Sequence, residues 1–195
     1  MTSFARHLDE RQAMLDGLRA SAVAASVAAA TDVLEVAAKS GRIILACGNG
    51  GSSSDADHIV AELVGRFSRT RPALRAASLT GNAASLTAIA NDFGFEFTFS
   101  RQVEAPGEPD GVLVAISTSG ASPSVVNAAR VARSVGMHVI ALTGPGGGEL
   151  AAVADICITV PGADAALIQD GHRIVYHYIC GQVDASLASP AAVSA

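Results

Sequence analysis

Two hydrophobic patterns alternate along the 195-residue chain. Short apolar runs end in glycine, serine or threonine, and the stretches between them carry apolar residues at spacings of three and four. The first pattern is typical of strands buried on both faces, and the second is typical of amphipathic helices. The apolar runs lie in RIILACGNGG, LRAASLTGN, GVLVAISTSG, HVIALTGPGGG and ICITVPG, of which LRAASLTGN is the weakest.

Helices are predicted between these strands and at both ends of the chain. The predicted helical segments are about 4–39, 55–67, 122–135, 149–153 and 165–187. Strands that alternate with helices predict an α/β fold, a three-layer αβα sandwich with a central parallel sheet. No linker or break in composition divides the sequence, so a single domain over residues 1–195 is expected.

The two ends of the chain call for separate interpretation. The N-terminal helical segment contains no proline and is rich in alanine at 20–30. It packs either on its own domain or in an oligomer interface, and the interface is favoured because few polar residues line 20–30. The C-terminal tail ASPAAVSA, about 188–195, is expected to be disordered.

Composition and charge narrow the functional classes. The formal net charge of −5 argues against a nucleic-acid surface held by positive charge. Backbone amides can still bind a small anion. The three cysteines have no metal-binding spacing, the N-terminus has no signal-peptide pattern, and 20–30 is too short to span a bilayer. A cytoplasmic protein with neither a nucleic acid nor a membrane as partner is therefore expected.

Two Gly/Ser-rich loops follow predicted strands, where parallel sheets bind their ligands. GNGGSSSD, at 48–55, lacks the spacing of a dinucleotide site and the ending of a P-loop, so a plain turn and a phosphate loop are both open. STSGASPS, at 117–124, gathers hydroxyls at the start of a helix. Ser122 alone could cap that helix, but the preceding hydroxyls favour a bound sugar monophosphate.

Two further pairs of side chains carry metal-binding or proton-transfer chemistry. His58 and Glu62 are four residues apart on a predicted helix, and Gln169 and His177 share a broad face of another. Together they could hold a divalent metal, with zinc favoured. Each pair alone is an ordinary surface feature, so the interpretation depends on the fold bringing the two helices together.

Four segments, in order, carry a family resemblance: CGNGGSSSDADHIVAELVGRF, LTAIANDFGFEFTFSRQVEA, VLVAISTSGASPSVVNAA and IQDGHRIVYHYIC. Over about 42–185 the chain resembles the bacterial phosphoheptose isomerases, which have the sugar-isomerase (SIS) fold and act on sedoheptulose 7-phosphate. The resemblance implies a homotetramer with active sites at subunit interfaces. It implies one zinc per subunit, held by His58, Glu62, Gln169 and His177. It implies sugar-phosphate contacts at Asn49, Gly50, Gly51, Ser52, Glu62, Asn91, Asp92, Ser117, Thr118, Ser119, Ser122 and Gln169.

The predicted reaction is an aldose–ketose isomerisation through an enediol(ate), as part of heptose biosynthesis. Glu62 is assigned as the base at carbon, and His177 as the acid/base that protonates oxygen. The same two side chains are candidate zinc ligands, and a metal-bound group is a poorer base. The metal is therefore either displaced or shared during turnover, or it is mainly structural.

Some positions depart from the family pattern. Asp57 stands where glutamine is usual, Ser53 and Ser54 where alanine is frequent, and 165–167 and TGNAAS at 80–85 also differ. These departures bear on substrate stereochemistry more than on reaction class.

Two alternative functions stay open. The first is a catalytically inactive SIS protein that binds a replication initiator. That group lacks an acid and a histidine at the positions of Glu62 and His177, which are both present here. The second is an SIS enzyme that acts on another sugar phosphate.

Overall fold

The computed structural model describes residues 3–187, and the predicted disordered tail at about 188–195 lies outside them. The strands in this range are β1 (Ile44–Gly48), β2 (Ala76–Ser78), β3 (Val112–Ser117), β4 (His138–Thr143) and β5 (Ile156–Thr159). The helices are α1 (Phe4–Leu18), α2 (Ser21–Lys39), α3 (Gly51–Val64), α4 (Ala83–Phe93), α5 (Ser100–Glu104), α6 (Pro123–Ser134), α7 (Gly148–Val153) and α8 (Ala165–Leu187), with a 3-10 turn at Phe95–Phe97.

The strands form one parallel sheet in the order β2-β1-β3-β4-β5. Alternate residues of β1 face opposite layers, because side chains alternate along a strand. Ile44 packs in a core with helices α2, α3 and α8, whereas Leu45 packs in a second core with α6. Every residue of β1 and β3 is buried. The predicted three-layer sandwich is therefore confirmed.

The N-terminal helical segment is divided into two helices. The chain turns at Arg19 and Ala20, and Ala20 takes a non-helical backbone conformation with ψ of 138°. Neither residue is a strong helix breaker. Packing accounts for the turn: Met14 of α1 is buried against Leu167 and Ile168 of α8, while α2 also packs on α8. The turn lets both helices cover the same partner.

Helix α2 is long and apolar enough to cross a membrane by length and composition alone, with 19 residues and a hydropathy of 1.4. Residues 20–30 alone are too short to span a bilayer, but the whole helix is long enough. However, α2 packs on α8 and β5, and its Ala30 and Leu34 lie in the core. It also carries Asp32 and Glu35. These features belong to a helix of the domain's own outer layer.

Helices α4 and α5 were not predicted from the sequence. Asn82 caps α4, its Oδ1 accepting a hydrogen bond from the Ser85 amide at 3.1 Å. Helix α4 is apolar, yet it has no buried residue within the described chain. Exposed phenylalanines continue from its end, with Phe93, Phe95 and Phe97 at 53%, 58% and 41% exposure.

Candidate active site

The two Gly/Ser loops meet at one edge of the sheet. Strands β1 and β3 are parallel neighbours, with Gly48 paired to Ile116, so the loops that follow them emerge side by side. The Asn49 Nδ2 group donates a hydrogen bond to Ser124 Oγ at 3.0 Å, which joins the first loop to the second. The two loops therefore lie side by side, as expected for loops that follow neighbouring parallel strands.

The first loop requires glycine at two adjacent positions. Gly50 has a φ of +56°, a conformation that side-chain-bearing residues rarely adopt. Gly51 begins α3, and a Cβ atom there would lie 2.5 Å from Gln169 Nε2. The absence of that Cβ lets the Gln169 amide of α8 lie directly against the loop. Ser52, the next predicted contact, is only 3% exposed, and its amide donates to the Asn49 carbonyl at 3.0 Å.

The second loop turns its hydroxyls toward one another. Ser117 Oγ lies 3.0 Å from Ser122 Oγ and 3.4 Å from Ser119 Oγ. Although Ser122 occupies the N-cap position of α6, its side chain makes no capping hydrogen bond within residues 3–187. Thr118 holds the loop through its carbonyl, which accepts the Gly144 amide at 3.0 Å. Helix capping therefore does not explain Ser122, whose hydroxyl belongs to the cluster.

The His/Glu pair and His177 come together across two packed helices, α3 and α8. His58 Nε2 lies 3.0 Å from Glu62 Oε1 and 3.4 Å from His177 Nε2. One ligand atom from each of the three residues falls within 4.8 Å of the other two. Burial, followed by the neighbouring charge of His58, lowers the pKa of His177, which favours a neutral imidazole.

The chemistry of this cluster fits a divalent cation. Imidazole nitrogens and a carboxylate oxygen are all electron-pair donors, and three such atoms lie close together here. Gln169, the fourth predicted ligand, lies eight residues before His177 on α8, with its amide against Gly51. The candidate metal ligand His177 and the first loop are therefore joined through one helix.

A second group of side chains lies behind His58, and sequence reasoning did not identify it. Tyr176 Oη is 3.1 Å from His58 Nδ1. The same oxygen accepts from Arg173 Nε at 3.1 Å and donates to Asp55 Oδ1 at 3.3 Å. Burial raises the pKa of Tyr176 to about 12, so the phenol keeps its proton. The available signal was positional: Tyr176 adjoins His177, and Asp55 lies one helical turn before His58.

A buried ion pair holds the end of α3 that carries Glu62. Arg71 Nη2 donates to the Glu62 carbonyl at 2.7 Å, and Arg71 Nη1 donates to the Leu63 carbonyl at 2.9 Å. Arg71 Nε donates to Asp184 of α8 at 3.0 Å, and the two side chains are 1% and 0% exposed. Arg71 therefore connects the backbone at Glu62 to the helix that carries His177.

His172, near Gln169, has a structural partner and lies outside the candidate metal cluster. It is fully buried, and its Nε2 lies 3.1 Å from the Thr143 carbonyl at the end of β4. Burial lowers the pKa of His172, so the neutral ring donates its Nε2 proton to that carbonyl.

Two departures from the family pattern contact each other. Asp57 Oδ1 accepts hydrogen bonds from Ser78 Oγ at 2.5 Å and from Thr80 Oγ1 at 2.6 Å. Thr80 opens the unusual TGNAAS segment. The Asp57 carboxylate thus ties α3 to the end of β2.

The predicted contacts at Asn91 and Asp92 lie on the exposed face of α4. Asn91 Nδ2 donates to Asp92 Oδ1 at 2.8 Å, and no hydrogen bond links either residue to the two loops within the part of the chain that is described. Their role in substrate binding stays a prediction.

Comparison with known proteins identifies the family. The SIS domain model matches residues 7–144. A phosphoheptose isomerase from Rhodospirillum rubrum is 46% identical over 172 residues, which cover 88% of this chain and 92% of the relative. The solved phosphoheptose isomerase GmhA from Neisseria gonorrhoeae has a TM-score of 0.82 at 39% identity, covering 93% of this chain and 95% of its own. That from Francisella tularensis has a TM-score of 0.88 at 35% identity, covering 95% and 100%. The chain therefore belongs to the SIS domain family and, within it, to the phosphoheptose isomerases.

Proposed function

We propose that this isomerase interconverts sedoheptulose 7-phosphate and D-glycero-D-manno-heptose 7-phosphate in heptose biosynthesis. The observation that carries the proposal is the convergence of His58, Glu62 and His177 from two helices. Helix α3 begins at the glycine loop, and helix α8 brings Gln169 against that loop. Helices α3 and α8 therefore hold both the candidate proton-transfer groups and the candidate phosphate-binding loop.

The loops would hold the phosphate far from the reacting carbons. The hydroxyls of Ser117, Ser119 and Ser122 form one cluster, and Gly50 and Gly51 present a turn at the start of α3. A dianion suits hydroxyl donors and a helix N-terminus. Binding energy from the phosphate then positions the sugar for proton transfer.

Glu62 would remove the proton from one carbon, and His177 would deliver a proton to the carbonyl oxygen, which yields an enediol. Returning a proton to the neighbouring carbon and removing one from the second oxygen completes the isomerisation. A carboxylate and an imidazole suit these tasks. His58, Glu62, Gln169 and His177 would hold zinc, which when bound stabilises negative charge on oxygen.

We further propose a cytoplasmic homotetramer with active sites at subunit interfaces. An apolar groove of about 290 Å³ lies between the N-terminal helices and α8, lined in part by Leu18, Val27 and Tyr178. Exposed phenylalanines at Phe93 and Phe95 add a second apolar surface close to Asn91 and Asp92 in sequence. Assembly through such surfaces would bury them, and a partner subunit would complete the site. Light scattering on the purified protein measures the assembly size.

A panel of ketose phosphates tests the reaction, with aldose formation followed for each. Conversion of sedoheptulose 7-phosphate is expected to be the fastest. A different preferred ketose would support the alternative of an SIS enzyme for another sugar phosphate. Failure to convert any of them, with capture of a replication initiator, would support the inactive binding protein.

The variants Glu62→Gln and His177→Gln test the catalytic assignments. Each is expected to lower kcat by about 10²–10⁴-fold, because a proton-transfer group is lost. Glu104→Gln and His138→Gln, at exposed positions, are the matched controls. Near-full activity in either active-site variant would contradict its role. Metal analysis of the purified protein tests the zinc site separately, and absence of bound or activating divalent metal would remove that part of the proposal.

A further inference from the structure

The two ring nitrogens of His58 face different surroundings. Its Nε2 lies among the candidate metal ligands, 3.0 Å from Glu62 Oε1 and 3.4 Å from His177 Nε2. Its Nδ1 faces Tyr176 Oη at 3.1 Å. A metal ligand must offer a lone pair, and in a neutral imidazole only one nitrogen has one. The group that hydrogen-bonds to Nδ1 therefore influences whether Nε2 has the lone pair that a metal ligand needs.

The contacts of Tyr176 Oη determine the direction of its hydrogen bonds. This oxygen carries one proton and can accept further hydrogen bonds. Arg173 Nε, at 3.1 Å, can only donate to it. Asp55 Oδ1, at 3.3 Å, can only accept when the carboxylate is ionised. The phenol proton therefore goes to Asp55, and the oxygen is left as an acceptor toward His58.

Burial strengthens this preference. Asp55 is 2% exposed, and its Oδ2 has no hydrogen-bond partner among the described residues. Its Oδ1 is contacted by Tyr176 and, at a longer 3.4 Å, by Arg173 Nη2. If Tyr176 donated to His58 instead, the buried carboxylate would keep only the long contact to a half-exposed arginine. Leaving a buried charge so poorly satisfied is costly.

We propose that Tyr176 is a positioning residue that accepts the Nδ1 proton of His58 and thereby holds the Nε2 lone pair toward Glu62 and His177. The chain of donors runs from His58 Nδ1 to Tyr176 Oη and on to Asp55 Oδ1, with Arg173 fixing the phenol from the other side. This inference rests on the proposed metal site and names side chains outside the predicted ligand set that prepare it.

The variant Tyr176→Phe removes the acceptor while filling nearly the same volume. Zinc affinity, measured by competition with a chelator, is expected to fall about 10–100-fold, the usual effect of losing a partner of a metal-binding histidine. Ser134→Ala, which removes an exposed hydroxyl from α6 on the opposite face of the sheet, is the control and should keep wild-type affinity. Affinity within about twofold of wild type in Tyr176→Phe, with the thermal transition preserved, would overturn the proposal.

Nitrogen-15 NMR of the histidine side chains provides a readout that does not depend on activity. The five histidines can be labelled together, and His58 assigned by comparison with His58→Gln. A proton on His58 Nδ1 is expected in the zinc-loaded wild type. In the metal-free wild type Glu62 Oε1, 3.0 Å from Nε2, competes for that proton, and the share of His58 with the proton on Nδ1 is expected to exceed that in metal-free Tyr176→Phe. In that metal-free variant the proton should move to Nε2, where Glu62 can accept it. An unprotonated Nδ1 in the zinc-loaded wild type, or equal Nδ1 protonation in metal-free wild type and metal-free Tyr176→Phe, would overturn the proposal.

The two measurements separate this inference from the metal site on which it rests. If the wild-type protein binds no zinc, the proposed metal site fails, and the metal-free spectra still decide whether Tyr176 fixes the Nδ1 proton. If zinc binds but the tautomer does not respond to Tyr176→Phe, the metal site stands and the positioning role fails.

Discussion

Two buried carboxylates in the α3–α8 layer, Asp184 and Asp55, differ in how fully their oxygens are satisfied. Among the described residues, Asp184 accepts hydrogen bonds within 3.2 Å from the Ser68 amide, the Ser68 hydroxyl, the Arg69 amide and Arg71 Nε. Asp55 has only contacts of 3.3 and 3.4 Å, both to Oδ1, and its Oδ2 is unpartnered in the described chain. Both oxygens of Asp184 are therefore hydrogen-bonded, whereas the Asp55 carboxylate is only partly satisfied.

The arginines that contact these two carboxylates differ in how exposed their side chains are. The Arg71 side chain is 1% exposed, whereas that of Arg173 is 55% exposed. Buried polar groups in folded proteins are normally satisfied, and exceptions often mark functional positions. This difference indicates that Asp184 stabilises the fold, and it agrees with the proposal that Asp55 holds the Tyr176 phenol next to the candidate catalytic site.

Removing Arg71 is expected to have the largest effect on stability. Arg71→Met leaves Asp184 buried and without its cation, so the free energy of unfolding should fall by about 3–5 kcal/mol in urea denaturation. The double variant Arg71→Met with Asp184→Leu removes both charges and should recover much of that loss. A loss below about 1 kcal/mol in the single variant would show that the two carboxylate sites do not differ as described.

The same substitution at both carboxylates tests the comparison directly. Asp184→Asn places an amide NH₂ among donors and should cost about 1–3 kcal/mol of unfolding free energy, because a buried donor loses its partner. Asp55→Asn should change stability by less than about 1 kcal/mol, since one oxygen was already unpartnered, while zinc affinity and kcat fall. Equal destabilisation by both variants would contradict the distinction.

Acid should remove the contribution of Asp184 to the free energy of unfolding. Burial alone would raise the pKa of Asp184, but hydrogen bonds from Ser68, Arg69 and Arg71 outweigh it and hold the pKa below its ordinary value. A carboxyl with a lowered folded-state pKa contributes stability above its unfolded pKa of about 4 and loses it as pH falls through the folded value. The stability difference between wild type and Asp184→Asn should therefore shrink below about pH 4. A constant difference at all pH values would contradict this assignment.

Local sequence patterns were sufficient to predict the strands and the first part of the candidate site. Continuous apolar runs such as Ile44–Gly48 admit few alternatives to a buried strand, and helix α8 follows its periodicity from Ala165 to Leu187. The pairing of His58 with His177 could be anticipated only through the family resemblance, because 119 residues separate them. No local rule specifies contacts over that distance.

The features that could not be predicted from the sequence have weak periodic patterns or none. Helix α4 has no buried residue in the described chain, so its apolar residues do not mark one inward face. The Tyr176–Asp55 contact was missed because its members are 121 residues apart and each reads as an ordinary core or capping residue by itself. Likewise, Arg71 and Asp184 are far apart in the sequence, so their ion pair becomes apparent only when α3 and α8 are seen packed together.

Two serines extend the comparison to hydroxyl groups and give the smallest expected effects. Ser68 Oγ donates to buried Asp184 at 3.1 Å, whereas Ser122 Oγ makes no helix-capping bond in the described chain and faces Ser117. Ser68→Ala should lower the free energy of unfolding by about 0.5–1.5 kcal/mol and leave KM unchanged. Ser122→Ala should alter stability by less than about 0.5 kcal/mol, yet raise KM for the sugar phosphate about 10-fold through one lost hydrogen bond to a charged group. Denaturation and steady-state kinetics on both variants separate the two effects. A destabilised Ser122→Ala with unchanged KM would place that hydroxyl with the structural groups, and the phosphate would then be held by other donors.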